Sequence, residues 1–166
     1  MQLKRALEHL VIPDRMALRA FPKRALDRIE QAIGASERSH SGELRLVLEA
    51  NMNPLDVLRG RSARDRALEL FSLLRVWDTE HNSGVLVYLQ MIDHRIEIVA
   101  DRGINRLVAQ AEWDAICRRM EGAFRAGNFE AGALEAIGEI TQLLNRHVPP
   151  GSHNPDELPD RPLIVV

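Results

Sequence analysis

Seven side chains in this sequence have the chemistry to hold a divalent cation: Glu37, His40, Glu43, Asp78, Glu80, Asn82 and Asp101. Carboxylates and an amide carbonyl are hard oxygen donors, the set preferred by Ca²⁺ and Mg²⁺. Asp78, Glu80 and Asn82 are close enough in the chain for one loop to present all three. The spacing Glu37-x-x-His40 sets a carboxylate and an imidazole one helical turn apart, provided the helix reaches that far. A cation held there can orient phosphate oxygens and a water, which is the chemistry of phosphoester hydrolysis.

The same residues admit a plainer reading. Loops at sheet ends are polar because they are solvated. Asp78 and Thr79 can make a turn, Asn82 can supply a left-handed bend before Gly84, and Asp101 can pair with Arg102. His81 and His94 read as exposed loop histidines. Cys117 shares a helical stripe with Trp113 and Met120 and reads as core. The sequence shows no evident nucleophile with a neighbouring base, no glycine-rich phosphate loop and no G-x-S-x-G elbow.

The elements that must position these groups follow from periodicity. Leu3, Leu7 and Leu10 mark a short amphipathic helix, which Pro13 ends. Pro22 opens a second helix, with Ala25, Leu26, Ile29 and Ile33 on one face. In Glu43–Glu49, Leu44, Leu46 and Leu48 alternate with charged residues, which predicts a strand with one apolar and one polar face. Ser62-x-x-Asp65 fits a capping box that opens a helix with Ala67, Leu68, Phe71 and Leu74 inward. Val85–Gln90 and Arg95–Ala100 predict a hairpin turning at Asp93-His94. Arg45 and Glu97 are expected to pair across the polar face. Two helices follow, one through Trp113, Ile116, Met120 and Phe124 and ending at Gly127, the next capped by Asn128. Five of the eight prolines lie between Pro149 and Pro162, so the tail is extended, and its apolar end, Leu163-Ile164-Val165-Val166, is expected to dock on a protein surface.

A strand–helix–strand unit is normally a right-handed parallel crossover. The start of the first strand, the start of the second and the end of the third then share one end of the sheet, where the seven candidates gather. The other end holds Asn51, Asn53, Asp56 and Asp93. It ranks second as a site, although ligands of open α/β sheets often sit beyond the carboxyl ends of parallel strands.

Composition narrows the classes. The chain has 166 residues, 22 Lys+Arg against 24 Asp+Glu, and one cysteine. A net charge of −2 does not favour nucleic acid, which requires a basic face. A single cysteine excludes an intrachain disulfide. Lys4, Arg5 and Glu8 interrupt the N-terminal stretch as a leader peptide would not allow. The longest apolar run, around Gly84–Ile92, is far short of the ~20 residues that span a bilayer. The expectation is a cytoplasmic protein without direct membrane insertion.

Three motifs carry a resemblance. They are Gly42-Glu43-Leu44-Arg45, Trp77-Asp78-Thr79-Glu80-x-Asn82-x-Gly84-Val85-Leu86, and Ala100-Asp101-Arg102-Gly103-Ile104. With Trp113, Phe124-x-x-Gly-x-Phe129 and Glu157-Leu158-Pro159-Asp160-Arg161-Pro162, the chain resembles the short soluble bacterial branch of the TPM domain family over roughly residues 20–166. The resemblance implies a small α/β/α sandwich. It also brings an association with calcium or other divalent metals, and with acid phosphatase activity in some plant thylakoid members. Many bacterial members carry a signal peptide and an anchor; this sequence is read as having neither.

The combined expectation is a three-layer α/β/α sandwich with a small mixed sheet, a parallel crossover plus an antiparallel hairpin. Residues 1–20 form a helical extension, 21–148 the TPM-like domain and 149–166 the docked tail. The expected function is a non-catalytic interaction or regulatory module that binds Ca²⁺ or Mg²⁺ through Asp78, Glu80, Asn82 and Asp101, with Glu37, His40 and Glu43 as additions. The alternative is a weak metal-dependent acid phosphatase. The expected partner is a protein, a membrane-associated one among the candidates, and not nucleic acid.

Overall fold

A computed structural model describes residues 2–166, the side chains of Met16 and Ala17 apart. In chain order the helices are α1 (Gln2–Val11), α2 (Asp14–Ala17), α3 (Lys23–Glu37), α4 (Pro54–Leu58), α5 (Ala63–Leu73), α6 (Arg102–Asn105), α7 (Gln110–Arg125) and α8 (Phe129–His147). The strands are β1 (Glu43–Glu49), β2 (Gly84–Gln90), β3 (Arg95–Ala100) and β4 (Leu163–Val165). They form one sheet in the order β3-β2-β1-β4. β1 runs parallel to β2 and to β4, and β3 returns antiparallel to β2. No described helix is long and apolar enough to cross a membrane.

Alternation along the strands builds two cores. Leu44, Leu46, Leu48, Val85, Val87, Leu89, Ile96 and Ile98 face α3, α7 and α8, and pack with Ile29, Ile33, Trp113, Ile116, Met120, Phe124, Ile140 and Leu144. On the opposite face Val47, Leu86, Tyr88 and Val99 meet Ala63, Ala67 and Leu70 of α5, with Leu158 of the tail. Helices on both faces make the expected three-layer sandwich. The Ser62–Asp65 capping box opens α5 as predicted, and Gly127 ends α7 with φ +80°, a backbone conformation natural to glycine.

Several local expectations give way to packing. β1 is buried along its whole length, so its charged side chains do not line a solvated face. Arg45 does not reach Glu97: Arg45 lies level with Leu86 and Val99 while Glu97 sits opposite Tyr88, and Glu97 is met instead by Arg64 at 3.6 Å. Leu68 points to solvent, because Ala63, Ala67 and Leu70 form the buried stripe of α5. The Asn128 side chain makes no capping bond. α1 is the expected amphipathic helix, with Ala6 and His9 turned inward and the Leu3, Leu7 and Leu10 face exposed. The apolar end of the tail pairs within the chain, as β4 on the free edge of β1.

Candidate functional site

The register places Glu43 opposite Gly84 and Val85 opposite Ala100, so the three strand ends meet at one end of the sheet. The tail passes over that end, held by buried polar groups of β1 and the α3–β1 turn. Glu43 Oε2 accepts from the backbone N–H groups of Glu157 and Leu158, both at 3.0 Å. Burial pushes the Glu43 carboxyl up, and those two amides oppose the shift. Arg45 Nη1 donates to the carbonyls of Pro159 at 2.8 Å and Arg161 at 2.7 Å. Asn154 Nδ2 donates to the carbonyls of Glu37 and His40. Further along, Arg161 bridges Asp27 and Glu30 on α3, each at 2.6 Å. The Glu43 and Arg45 contacts satisfy backbone groups that an extended, proline-rich segment cannot pair with itself.

Where this strap meets the end of α3, three carboxyls converge, Glu37 buried, Asp160 half-buried and Asp156 exposed. Ligand atoms of Glu37, Asp156 and Asp160 lie within 4.8 Å of one another, a group of three matched by no other His, Cys, Asp or Glu set among the described residues. Glu37 closes α3 and is 7% exposed, and its Oε1 accepts from Leu44 N at 2.6 Å. Burial pushes the Glu37 carboxyl up to about 9, the Leu44 amide opposes this, and a hydrogen bond shared with Asp160 raises it further. Glu37 therefore keeps its proton at neutral pH when no cation is present. Asp160 Oδ1 is buried with no hydrogen-bond partner. The lack of a Cβ at Gly34 gives Asp160 its room: a side chain there would come within 2.6 Å of Asp160 Oδ2.

His40 takes no part in this cluster. It is fully buried, and both ring nitrogens are engaged. Nδ1 accepts from Gly42 N at 3.1 Å, which leaves the proton on Nε2, donated to Ser36 Oγ at 2.8 Å. Ser36 Oγ then donates to Thr141 Oγ1 at 2.6 Å, and Thr141 donates to the Ile137 carbonyl. Burial lowers His40 to about 4. With Nε2 protonated toward the serine, Ser36–His40 is a structural chain tying α3 to α8 and not a nucleophile with its base.

The loop residues predicted as ligands are distributed over local tasks. Asp78 is exposed and pairs with Arg75. Glu80 gives its backbone N–H to the Glu157 carboxylate at 2.9 Å and keeps its own side chain in solvent. Asn82 adopts φ 51°, and its Oδ1 accepts from Arg102 Nε at 3.0 Å. Asp101 caps α6 through Arg102 N at 2.7 Å, and its other oxygen is buried without a partner. The motif glycines have a steric cause. A Cβ on Gly84 would sit 1.9 Å from the Val76 carbonyl, and one on Gly103 would sit 2.5 Å from the Asn82 carbonyl. The paired motifs are thus two loops whose backbones touch, with Gly103 N donating to Asn82 O at 3.0 Å.

Sequence reasoning missed Asp156 and Asp160. The signal was present, since the tail carries Asp156, Glu157 and Asp160 within five positions of each other and Asp160 belongs to a recognised motif. What was not legible was that this segment folds back onto α3.

The opposite end of the sheet is spent on anchorage. Asp93 at the hairpin tip receives Arg5 Nε at 2.8 Å and Nη2 at 2.6 Å, with His9 Nε2 at 3.3 Å from Oδ1. Burial would raise this carboxyl, but His9 and Arg5 outweigh it and hold Asp93 below the usual range. His9 Nδ1 accepts from Met52 N at 3.0 Å. Asn53 caps α4, Asn51 bonds Ile12 O and Asp14, and Asp56 pairs with Arg59 and Arg61.

Comparison with known proteins agrees with this architecture. No curated protein sequence matches the chain. Among solved structures, the NMR structure of the BA42 protein from the psychrophilic bacterium Bizionia argentinensis superimposes with a TM-score of 0.76 at 28% identity, covering 87% of this chain and 94% of that one. The sequence profile of the TPM domain matches residues 19–143. The sandwich, the docked motif loops and these matches lead to one conclusion: the chain belongs to the TPM domain family.

Proposed function

We propose that this TPM domain is a non-catalytic interaction module in which a divalent cation, held by Glu37, Asp156 and Asp160, fastens the C-terminal tail over the end of the sheet. The reading rests on one observation. A buried carboxyl from α3 and two carboxyls from the tail converge within 4.8 Å, and one Asp160 oxygen is buried with nothing to bond. An all-oxygen donor set fits Ca²⁺ or Mg²⁺ better than softer ions. A cation there would replace the Glu37 proton, so binding releases a proton and tightens as pH rises. Because two donors belong to the tail, occupancy would couple cation concentration to how firmly the tail is held. The tail and the surface around it are then what a protein partner would read.

The loop set Asp78, Glu80, Asn82 and Asp101 competes as the cation's location, supported by the bare Asp101 oxygen. It is the weaker candidate because Asp78 and Asn82 already pair with Arg75 and Arg102. The non-catalytic part is supported by the tautomer of His40 and by Cys117, whose thiol burial pushes up to about 12.

Thermal unfolding of chelator-stripped protein against Ca²⁺, Mg²⁺, Mn²⁺ and Zn²⁺ tests both parts. At ~100 times its dissociation constant an ion stabilises by about 2.7 kcal/mol, a rise of roughly 5–10 °C for a chain of this size. The shift should vanish in Asp160→Asn and survive in Asp101→Asn; the reverse pattern moves the site to the loops. No shift with any ion overturns the cation reading. Turnover of p-nitrophenyl phosphate by the metal-loaded protein, lost in Asp160→Asn, overturns the non-catalytic one.

A further inference from the structure

Helix α1 is amphipathic in the inverted sense. Its polar side faces the protein: Arg5 donates to Asp93 and to the Arg61 carbonyl at 2.8 Å, and His9 is buried against Met52 and Asp93. Its apolar side faces outward, with Leu3 74%, Leu7 56%, Leu10 69% and Val11 65% exposed. At 100° per residue these four side chains cover an arc of about 100°. α4, linked to α1 through the Ala6–Met52–Val57 cluster, adds exposed Leu55 and Leu58. Six such side chains make an apolar surface near the ~300–600 Å² upper range of monomers. Two equal surfaces pressed together approach the ~1,200 Å² of a small specific interface.

The flank of this stripe identifies what covers it. Lys4 and Glu8 lie side by side along one border, 3.9 Å apart, and both reach into solvent. In an antiparallel pairing about a two-fold axis near the helix midpoint, that flank meets itself in reverse order. Lys4 then faces Glu8 of the second copy, and Glu8 faces its Lys4. The surface is self-complementary in charge as well as in apolarity, and the Leu3-Leu7-Leu10 spacing of four and three residues suits helix-on-helix packing. A lipid surface is a poorer match. The flank carries one charge of each sign, and Arg5, the helix's other strong cation, is already committed to Asp93, whereas interfacial helices present several free Lys and Arg side chains.

We propose that α1 is a homodimerisation helix, pairing antiparallel with α1 of a second copy through Leu3, Leu7 and Leu10 and through two reciprocal Lys4–Glu8 ion pairs. The proposal is independent of the carboxylate cluster.

Sedimentation equilibrium of the full chain from about 1 to 300 μM tests it, a range that reads dissociation constants of micromolar to sub-millimolar strength directly. Leu7→Glu should leave a monomer whose unfolding midpoint matches that of the wild type at a concentration low enough for it too to be monomeric, since the side chain is exposed within the chain. Lys4→Glu should weaken the dimer roughly tenfold or more by setting like charges face to face. The double variant Lys4→Glu/Glu8→Lys restores complementarity and should recover most of that loss. A protein that is monomeric throughout the range, a dimer that survives Leu7→Glu, or a double variant no better than Lys4→Glu overturns the proposal. So does a monomer that co-sediments with phosphatidylserine vesicles, which would assign the stripe to a lipid surface.

Discussion

Replacing Glu37 by Gln should make the cation-free protein more stable at neutral pH, although it alters a buried residue of the candidate site. Glutamine is the isostere of the protonated acid: its carbonyl can still accept from Leu44 N, and its amide can still donate to Asp160. The wild-type carboxyl is held at about 9 in the fold against 4.5 when unperturbed, chiefly by burial. The folded state therefore binds more protons than the unfolded state between these values, and stability falls as pH rises through that window. Each pH unit inside it costs about 1.4 kcal/mol. At pH 7 the wild type has lost roughly 3 kcal/mol relative to pH 4.5 on this account alone, a loss the glutamine variant does not suffer. At pH 4.5 and below the two proteins should be of similar stability. By pH 7 the variant should melt roughly 6–12 °C higher. Urea unfolding of both proteins in chelator, at half-unit steps from pH 4.5 to 8.5, measures the difference. Parallel pH profiles would refute the assignment of a buried proton to Glu37. The same variant should lose the stabilisation by a divalent cation, because a neutral amide is a weaker ligand than the carboxylate it replaces.

Three further outcomes are expected. His40 is held at about 4, below its ordinary 6.5, so the unfolded state binds its proton first and stability is lost as pH falls through 6.5 toward 4. Its ring nitrogens should give NMR shifts of the neutral, Nε2-protonated form at pH 5.5, and a ring protonated at that pH would refute the hydrogen-bond chain from Gly42 to Ile137. Arg45→Met removes two charge-assisted bonds to the tail, at about 1.5–3 kcal/mol each. It should speed amide exchange across residues 154–165 while leaving β2 and β3 protected. Gly103→Ala places a methyl group 2.5 Å from the Asn82 carbonyl. It should separate the two motif loops and cost more than 2 kcal/mol; a variant with wild-type stability would show that the loops do not need their close approach.

How much of this was written in the sequence depends on the range over which each feature is decided. The strands, the capping box at Ser62, the turn at Asp93-His94 and the stop at Gly127 are set by residues a few positions apart, and short-range sterics and periodicity suffice to place them. The handedness of a parallel crossover then brings Glu43, Gly84 and Ala100 to one end of the sheet without any long-range information. The partners of buried polar groups are a different matter. Glu43 meets amides 114 and 115 residues away, and Arg45 meets carbonyls 114 and 116 residues away. Nothing local distinguishes these side chains from a solvated charged face. The same holds for α1, where Leu3, Leu7 and Leu10 mark one face of an amphipathic helix but do not say which face meets the protein, a choice made only when Arg5 finds Asp93 across 88 residues. Composition and period determined the layers, but only the folded chain decided which charges are buried, which keeps a proton, and which leucines are left for another molecule, because a buried polar group must be satisfied wherever in the chain its partner lies.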